Sequence, residues 1–217
     1  MQNRNDLTEL VFILDRSGSM AGLISDTIGG FNAMLERQKK EEGRAFVTTV
    51  LFDTRFDRLH DRLPLEQVPP MTEREYQPGG CTALLDAVGD TIRHIARIHK
   101  YARPEDVPGK TLFVITTDGL ENASRRYSQA DVKRLIQHEQ EKYGWEFLFL
   151  GANIDAIETA DSIGIDAQCA TNFHADGRGM ALNFDAVCGA VSAIRAQRPM
   201  SADWKAAVEE DFETRKP

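Results

Sequence analysis

Four apolar runs with little or no polar alternation constrain this chain most: Leu10-Val11-Phe12-Ile13-Leu14, Phe46 to Phe52, Leu112-Phe113-Val114-Ile115 and Phe147-Leu148-Phe149-Leu150. Successive strand residues point to opposite faces, so a half-solvated strand alternates apolar and polar side chains. A run that stays apolar needs cover on both faces, the situation of a central strand in a parallel sheet. The cover is written between the runs. Ile24, Ile28, Phe31 and Leu35 recur at helical spacing, as do Leu84, Val88, Ile92 and Ile95. Val132, Leu135 and Ile136 mark a third helix with Ser128 as its N-cap, and Asp155 caps a short fourth reaching Ile163. Phe184, Val187, Val191 and Ile194 mark a fifth, and a final charged helix is expected to carry Trp204.

Thr54 to Leu63 is too rich in charge for a central strand and reads as an edge strand guarded by its charges. It follows Phe52 so closely that an antiparallel hairpin is the simple connection. The loop from Pro64 to Cys81 is long enough to be functional or disordered. The order β-α-β-β-α-β-α-β-α-β-α predicts an α/β fold: a doubly wound, mostly parallel six-stranded sheet with one antiparallel edge strand and helices on both faces. Residues 1–217 suit one domain, with a core of about 8–195 and a C-terminal helical extension of about 200–215.

With 34 acidic against 26 basic residues and a net charge of −8, a general nucleic-acid role is disfavoured. The polar start and the brevity of Leu10–Leu14 fit neither a signal peptide nor a membrane span. Cys81, Cys169 and Cys188, odd in number and far apart, suggest reduced thiols and a cytoplasmic setting. Oligomeric state leaves no trace in the sequence.

Ligands of doubly wound sheets bind beyond the carboxyl ends of the strands. Two strands end there in an aspartate: Asp15 opens Asp15-Arg16-Ser17-Gly18-Ser19-Met20, and Asp118 opens Asp118-Gly119. The glycine turn Gly79-Gly80-Cys81 delivers Thr82 to a helix start. Asp15, Ser17, Ser19, Thr82 and Asp118 offer oxygen alone, which suits hard cations such as Mg²⁺ or Mn²⁺, with Ca²⁺ less favoured. Arg16, Met20, Asp53, Cys81, Glu121, Asn122 and Asn153 are candidates for the surrounding rim, although Cys81 also suits a small packing residue.

The Asp-x-Ser-x-Ser turn after an apolar strand, a downstream Thr and a Thr-Asp-Gly at a later strand end resemble the metal-ion-dependent adhesion site of the von Willebrand factor A family. The resemblance covers residues 8 to 195. It implies that Ser17, Ser19 and Thr82 ligate the metal directly or nearly so, and Asp15 and Asp118 directly or through water. It also implies a protein partner that presents Asp or Glu. Ser25 to Asn32 is similar to small stand-alone bacterial and phage members of that family, including those linked to tellurium resistance.

A calcium loop is excluded, because Met20 stands where that loop needs glycine. Ser17-Gly18-Ser19 is not a nucleophile elbow, and no phosphate loop exists. Two alternatives to a binding module stay open: a Mg²⁺- or Mn²⁺-dependent hydrolase of phosphoesters, which lacks an evident general base, and a scaffold with a vestigial metal site.

Overall fold

A computed structural model describes residues 6–215. Six strands form one sheet in the order β3-β2-β1-β4-β5-β6. They are β1 Leu7–Asp15, β2 Arg44–Phe52, β3 Phe56–Pro64, β4 Lys110–Thr117, β5 Glu146–Ala152 and β6 Ala170–Phe173. All neighbouring pairs are parallel except β2 and β3, so the edge hairpin appears as expected. The helices are α1 Ile24–Gln38, α2 Leu84–Tyr101, α3 Gln129–Tyr143, α4 Ala156–Ser162, α5 Gly177–Arg195 and α6 Ala206–Thr214.

The unalternated runs become strands with two buried faces. On one face Leu10, Phe12 and Leu14 of β1 join Phe31 and Leu35 of α1, Phe184 and Val187 of α5, and Val208 of α6. On the other, Val11 and Ile13 join Val88 and Ile92 of α2, Val132 and Ile136 of α3, and Ala156 of α4. Each fully buried Phe or Leu contributes about 1.5–3 kcal/mol of transfer free energy, and β1 has no exposed residue. β1 is therefore the strand least able to shift, and the site hangs from its end.

Several details differ from the sequence expectation. Trp204 lies in the turn before α6, where its Nε1 donates to the Gln168 carbonyl at 2.8 Å. In β3, Asp57, Arg58 and Asp61 guard the edge, but Arg62 does not. With φ of 53° it turns inward, and its Nε donates to the fully buried Glu9 at 2.7 Å. The loop from Pro64 to Cys81 is packed: Leu65, Val68, Met71 and Tyr76 are buried, and the Asn32 side chain holds the Met71 backbone at both N–H and C=O. Gly30 marks a close helix–helix contact, because a Cβ there would stand 2.3 Å from Cδ2 of Phe184 on α5.

Candidate metal centre

β1 and β4 are neighbours in space, and the strand order runs outward from them in opposite directions. Their carboxyl ends therefore border the switch point of the sheet, where such folds bind ligands. Asp15 is the last residue of β1, and Asp118 follows the last residue of β4.

Asp15 is 1% exposed and held on three sides. Its Oδ1 accepts the Ser17 N–H at 2.6 Å, and its Oδ2 accepts the Thr117 hydroxyl at 2.5 Å. Its backbone carbonyl accepts the Tyr76 hydroxyl. Gly18 to Leu23 form a 3₁₀ turn that returns the chain toward β4. Along it the Ser17 and Ser19 hydroxyls stand 3.1 Å apart, and Ser19 donates to Asp118 Oδ1 at 2.6 Å. A Cβ on Gly119 would meet Thr82 Oγ1 at 3.3 Å and Ser19 Oγ at 3.9 Å, so those two hydroxyls flank the loop after β4.

The Thr82 loop is laced to the others through backbone. Gly79 N–H donates to the Arg16 carbonyl at 2.9 Å, and Gly18 N–H donates to the Gly80 carbonyl at 3.2 Å. Thr82 N–H donates to Asn122 Oδ1 at 2.9 Å, while Asn122 N–H returns to the Thr82 carbonyl at 3.0 Å. Gly80 sits at φ of 69°, and a Cβ there would stand 2.6 Å from Thr54 Oγ1, so glycine is required on both counts.

The electrostatics are one-sided. Burial pushes both the Asp15 and Asp118 carboxyls upward from the ordinary carboxylate value, against hydrogen bonds from Thr117 and Ser17 to Asp15 and from Ser19 to Asp118. No cation stands among the groups acting on either. Arg16, next in sequence to Asp15, pairs instead with Asp53 at 3.0 Å and with Asp57. Two desolvated carboxylates beside three hydroxyls and no cation form an oxygen donor set that fits a hard divalent ion. Among the described residues no group of three or more His, Cys, Asp and Glu could hold a metal, so a thiolate or imidazole centre has no counterpart here.

The predicted rim divides. Met20 is 1% exposed and packs in the core beside Leu14, so it cannot shape an outer surface. Cys81 is exposed, which discards its reading as a packing residue. Arg16 and Asp53 are half-buried and hold each other. Glu121 caps the start of α2, accepting from Leu85, Ala123 and Ser124 N–H at 2.7–2.9 Å. Asn122 positions Thr82, and Asn153, exposed at φ of 57°, lines a cleft with Leu120 and Glu121 beside the loops.

No protein-family model matches the sequence, and no curated protein does. Solved structures do match. Proximal thread matrix protein 1 from the mussel byssus, in a form described as having a zinc occupied MIDAS motif, is 13% identical with a TM-score of 0.57 over 87% of this chain and 46% of that one. A von Willebrand factor type A protein from Catenulispora acidiphila is 17% identical, TM-score 0.58, over 87% of this chain and 43% of that one. The manganese-loaded TRAP protein of Plasmodium vivax is 14% identical, TM-score 0.53, over 83% of this chain and 74% of that one. This chain has the fold of a von Willebrand factor A domain. It spans less than half the length of the mussel and Catenulispora proteins, and at these identities the likeness is one of fold alone.

Within this von Willebrand factor A fold, several positioning residues carry no motif signal. Thr117 and Tyr76 grip Asp15, and Asp86 accepts from the backbone N–H groups of Arg125, Arg126 and Tyr127 at 2.9–3.0 Å, fixing the loop that follows Asp118. Only the Thr-Thr-Asp-Gly context of Thr117 could have pointed to it.

Proposed function

We propose that this chain is a divalent-metal-dependent protein-interaction module, one von Willebrand factor A-like unit that binds an acidic residue of a partner protein. The observation that carries the proposal is the pair of buried carboxylates, Asp15 and Asp118, with hydroxyl partners and no cation. Ser17, Ser19, Thr82, Asp15 and Asp118 would hold the ion, with Mg²⁺ or Mn²⁺ preferred on donor chemistry. When bound, the ion supplies an open Lewis-acid position for a carboxylate from outside. The zinc occupied motif of the mussel protein and the manganese-loaded state of TRAP support a divalent ion in general.

The chain's own part is to hold these oxygens still. Tyr76 and Thr117 fix Asp15, Ser19 bridges Ser17 to Asp118, and Asn122 fixes Thr82. Ser19, Gly18 and Cys81 are exposed and form the face a partner meets. A binding role is favoured over phosphoester hydrolysis because the side chains packed around the acids are hydroxyls, which make poor general bases near neutral pH.

The test is recovery of partners from a source lysate by immobilised protein, with Mn²⁺ or with chelator, in wild type and Ser17→Ala. Chelator-sensitive partners absent with Ser17→Ala support the reading. Partners retained under both treatments favour a scaffold with a vestigial site. Mn²⁺-dependent phosphoesterase activity lost in Asp15→Ala would replace the reading with the hydrolase.

A further inference from the structure

A cavity of about 760 Å³ lies between the last turns of α2 and α3, at the amino ends of β4 and β5. Its lining is aromatic and mixed in charge. Tyr101 and Tyr143 are two of the three large apolar side chains left exposed on the described surface, and both stand here. Exposed aromatic surface gathered at one place marks a binding site. Trp145 lies deeper, 5% exposed and stacked on Phe113 with ring centroids 5.3 Å apart.

Among the described residues Glu139 is the one acid in a lining that also carries Arg97, Lys100, His99 and His138. It is 5% exposed, and its buried Oε2 has no hydrogen-bond partner. Burial pushes its carboxyl upward, against the charges of His138, His99 and Lys142. None of the three bonds to it: His99 turns to Glu9 at 3.2 Å, His138 packs edge-on to Tyr143, and Lys142 covers that ring. A buried acceptor without a donor loses the full solvation of that group, so it calls for an explanation.

The cations are placed differently. Arg97 and Lys100 are exposed, and Arg97 enters no hydrogen bond or ion pair among the described residues. A ligand that answers all of this has N–H donors at its buried end, a flat body between aromatic rings and an anion toward solvent. Nucleotides combine these parts, since bases stack on tyrosine and tryptophan and hydrogen-bond through their edges. The volume is that of a small-molecule site. The acceptor narrows the base, because an ionised carboxylate cannot donate. Guanine presents N1–H and an amino group side by side as donors. Adenine and cytosine set a ring acceptor beside the amino group, which would face the second carboxylate oxygen.

We propose that this cavity binds a guanine mononucleotide, its base edge donating to Glu139 and its phosphate meeting Arg97 and Lys100. The site is separate from the metal loops, which stand at the other end of the strands. Its occupancy neither requires nor follows from the function proposed above.

Isothermal titration of the full-length protein with guanosine monophosphate tests this, in chelator so that the metal loops take no part. Adenosine monophosphate, guanosine and inorganic phosphate are the comparisons. The guanine nucleotide is expected to bind saturably, with the adenine nucleotide and guanosine weaker by about tenfold or more, since hydrogen bonds to charged groups are at stake in each. Glu139→Gln should lose affinity for the guanine nucleotide and not for the adenine nucleotide, because an amide can accept from adenine's amino group and donate to its ring nitrogen. Arg97→Ala combined with Lys100→Ala changes only exposed side chains and should reduce the nucleotide to the affinity of guanosine, which keeps the test open even if the glutamine variant folds poorly. The proposal is overturned by no saturable binding of guanosine monophosphate at millimolar concentration. Equal affinity for the adenine nucleotide, for guanosine or for phosphate alone would overturn it, as would unchanged affinity in a folded Glu139→Gln or in the double variant.

Discussion

Replacing Asp118 by Asn should raise stability without metal and lower it with metal, a crossing that tests the electrostatic argument for the site. Burial raises the Asp118 carboxyl above its unfolded reference, so the folded state binds the proton more readily than the unfolded state. The linkage sign follows: stability is fully present below the reference value of 3.8 and is lost as pH rises through the folded value. At pH 7 the wild type therefore carries an uncompensated cost. Asn removes it while its Oδ1 can still accept the Ser19 hydroxyl now held at 2.6 Å. With Mn²⁺ at a hundred times its dissociation constant, the wild type should gain about 2.7 kcal/mol by mass action. For a chain of 217 residues that is a Tm rise of about 5–11 °C, at roughly 2–4 °C per kcal/mol. The amide of Asp118→Asn supplies no charge, so under half of that rise is expected in the variant. Differential scanning calorimetry at pH 7, in chelator and in Mn²⁺, gives both numbers, with the exposed Asp203→Asn as a control that should change neither. A variant less stable than wild type in chelator refutes the desolvation argument; a variant with the full Mn²⁺ shift refutes Asp118 as part of the ion's shell.

The same shifts predict a pH dependence. In chelator the wild type should lose stability relative to Asp118→Asn as pH rises from about 4 to 7, because ionisation of a carboxyl raised by burial costs only the wild type, and thermal scans at stepped pH would show the gap opening. Tyr76→Phe removes the hydroxyl that donates to the Asp15 carbonyl, which predicts a loss of about 1–2 kcal/mol in urea unfolding and weaker Mn²⁺ binding. An unchanged midpoint would mean that the packed loop does not hold β1's end. Gly29 and Gly30 should respond oppositely to Ala in the same assay. Gly29 faces open space and should gain about 1 kcal/mol of helix propensity. Gly30 would drive a Cβ against the buried Phe184 ring and should lose about 1–3 kcal/mol by overpacking.

The sheet was legible because double burial leaves a local mark. Leu10–Leu14 and Leu112–Ile115 lack alternation since helices cover them on both sides. The five metal-site candidates were legible as residue types at three strand or helix ends, and the structure brings them together; their role as ligands rests on the proposal above. Met20 was misread because it lies in a 3₁₀ turn, too short for periodicity to say which way a side chain points. Arg62 was misread for a related reason, since a positive φ reverses the face that strand alternation assigns. Tyr76 and Thr117 were invisible in their roles because the bonds that tie them to Asp15 span 61 and 102 residues.

What the sequence could not show is the cost of charge at these oxygens, on which the proposed cation rests. That comes from the same burial that made the strands readable. The apolar cover that leaves no residue of β1 exposed extends to Asp15, its last residue, and removes the water that would otherwise solvate its charge. Hydrogen bonds from Thr117 and Ser17 offset part of that loss, and burial still dominates. A surface Asp-x-Ser-x-Ser turn would have water to replace any ion. Here the chain offers hydroxyl donors and no positive charge, so the divalent ion proposed above answers a charge cost set by the same packing that buries the strand.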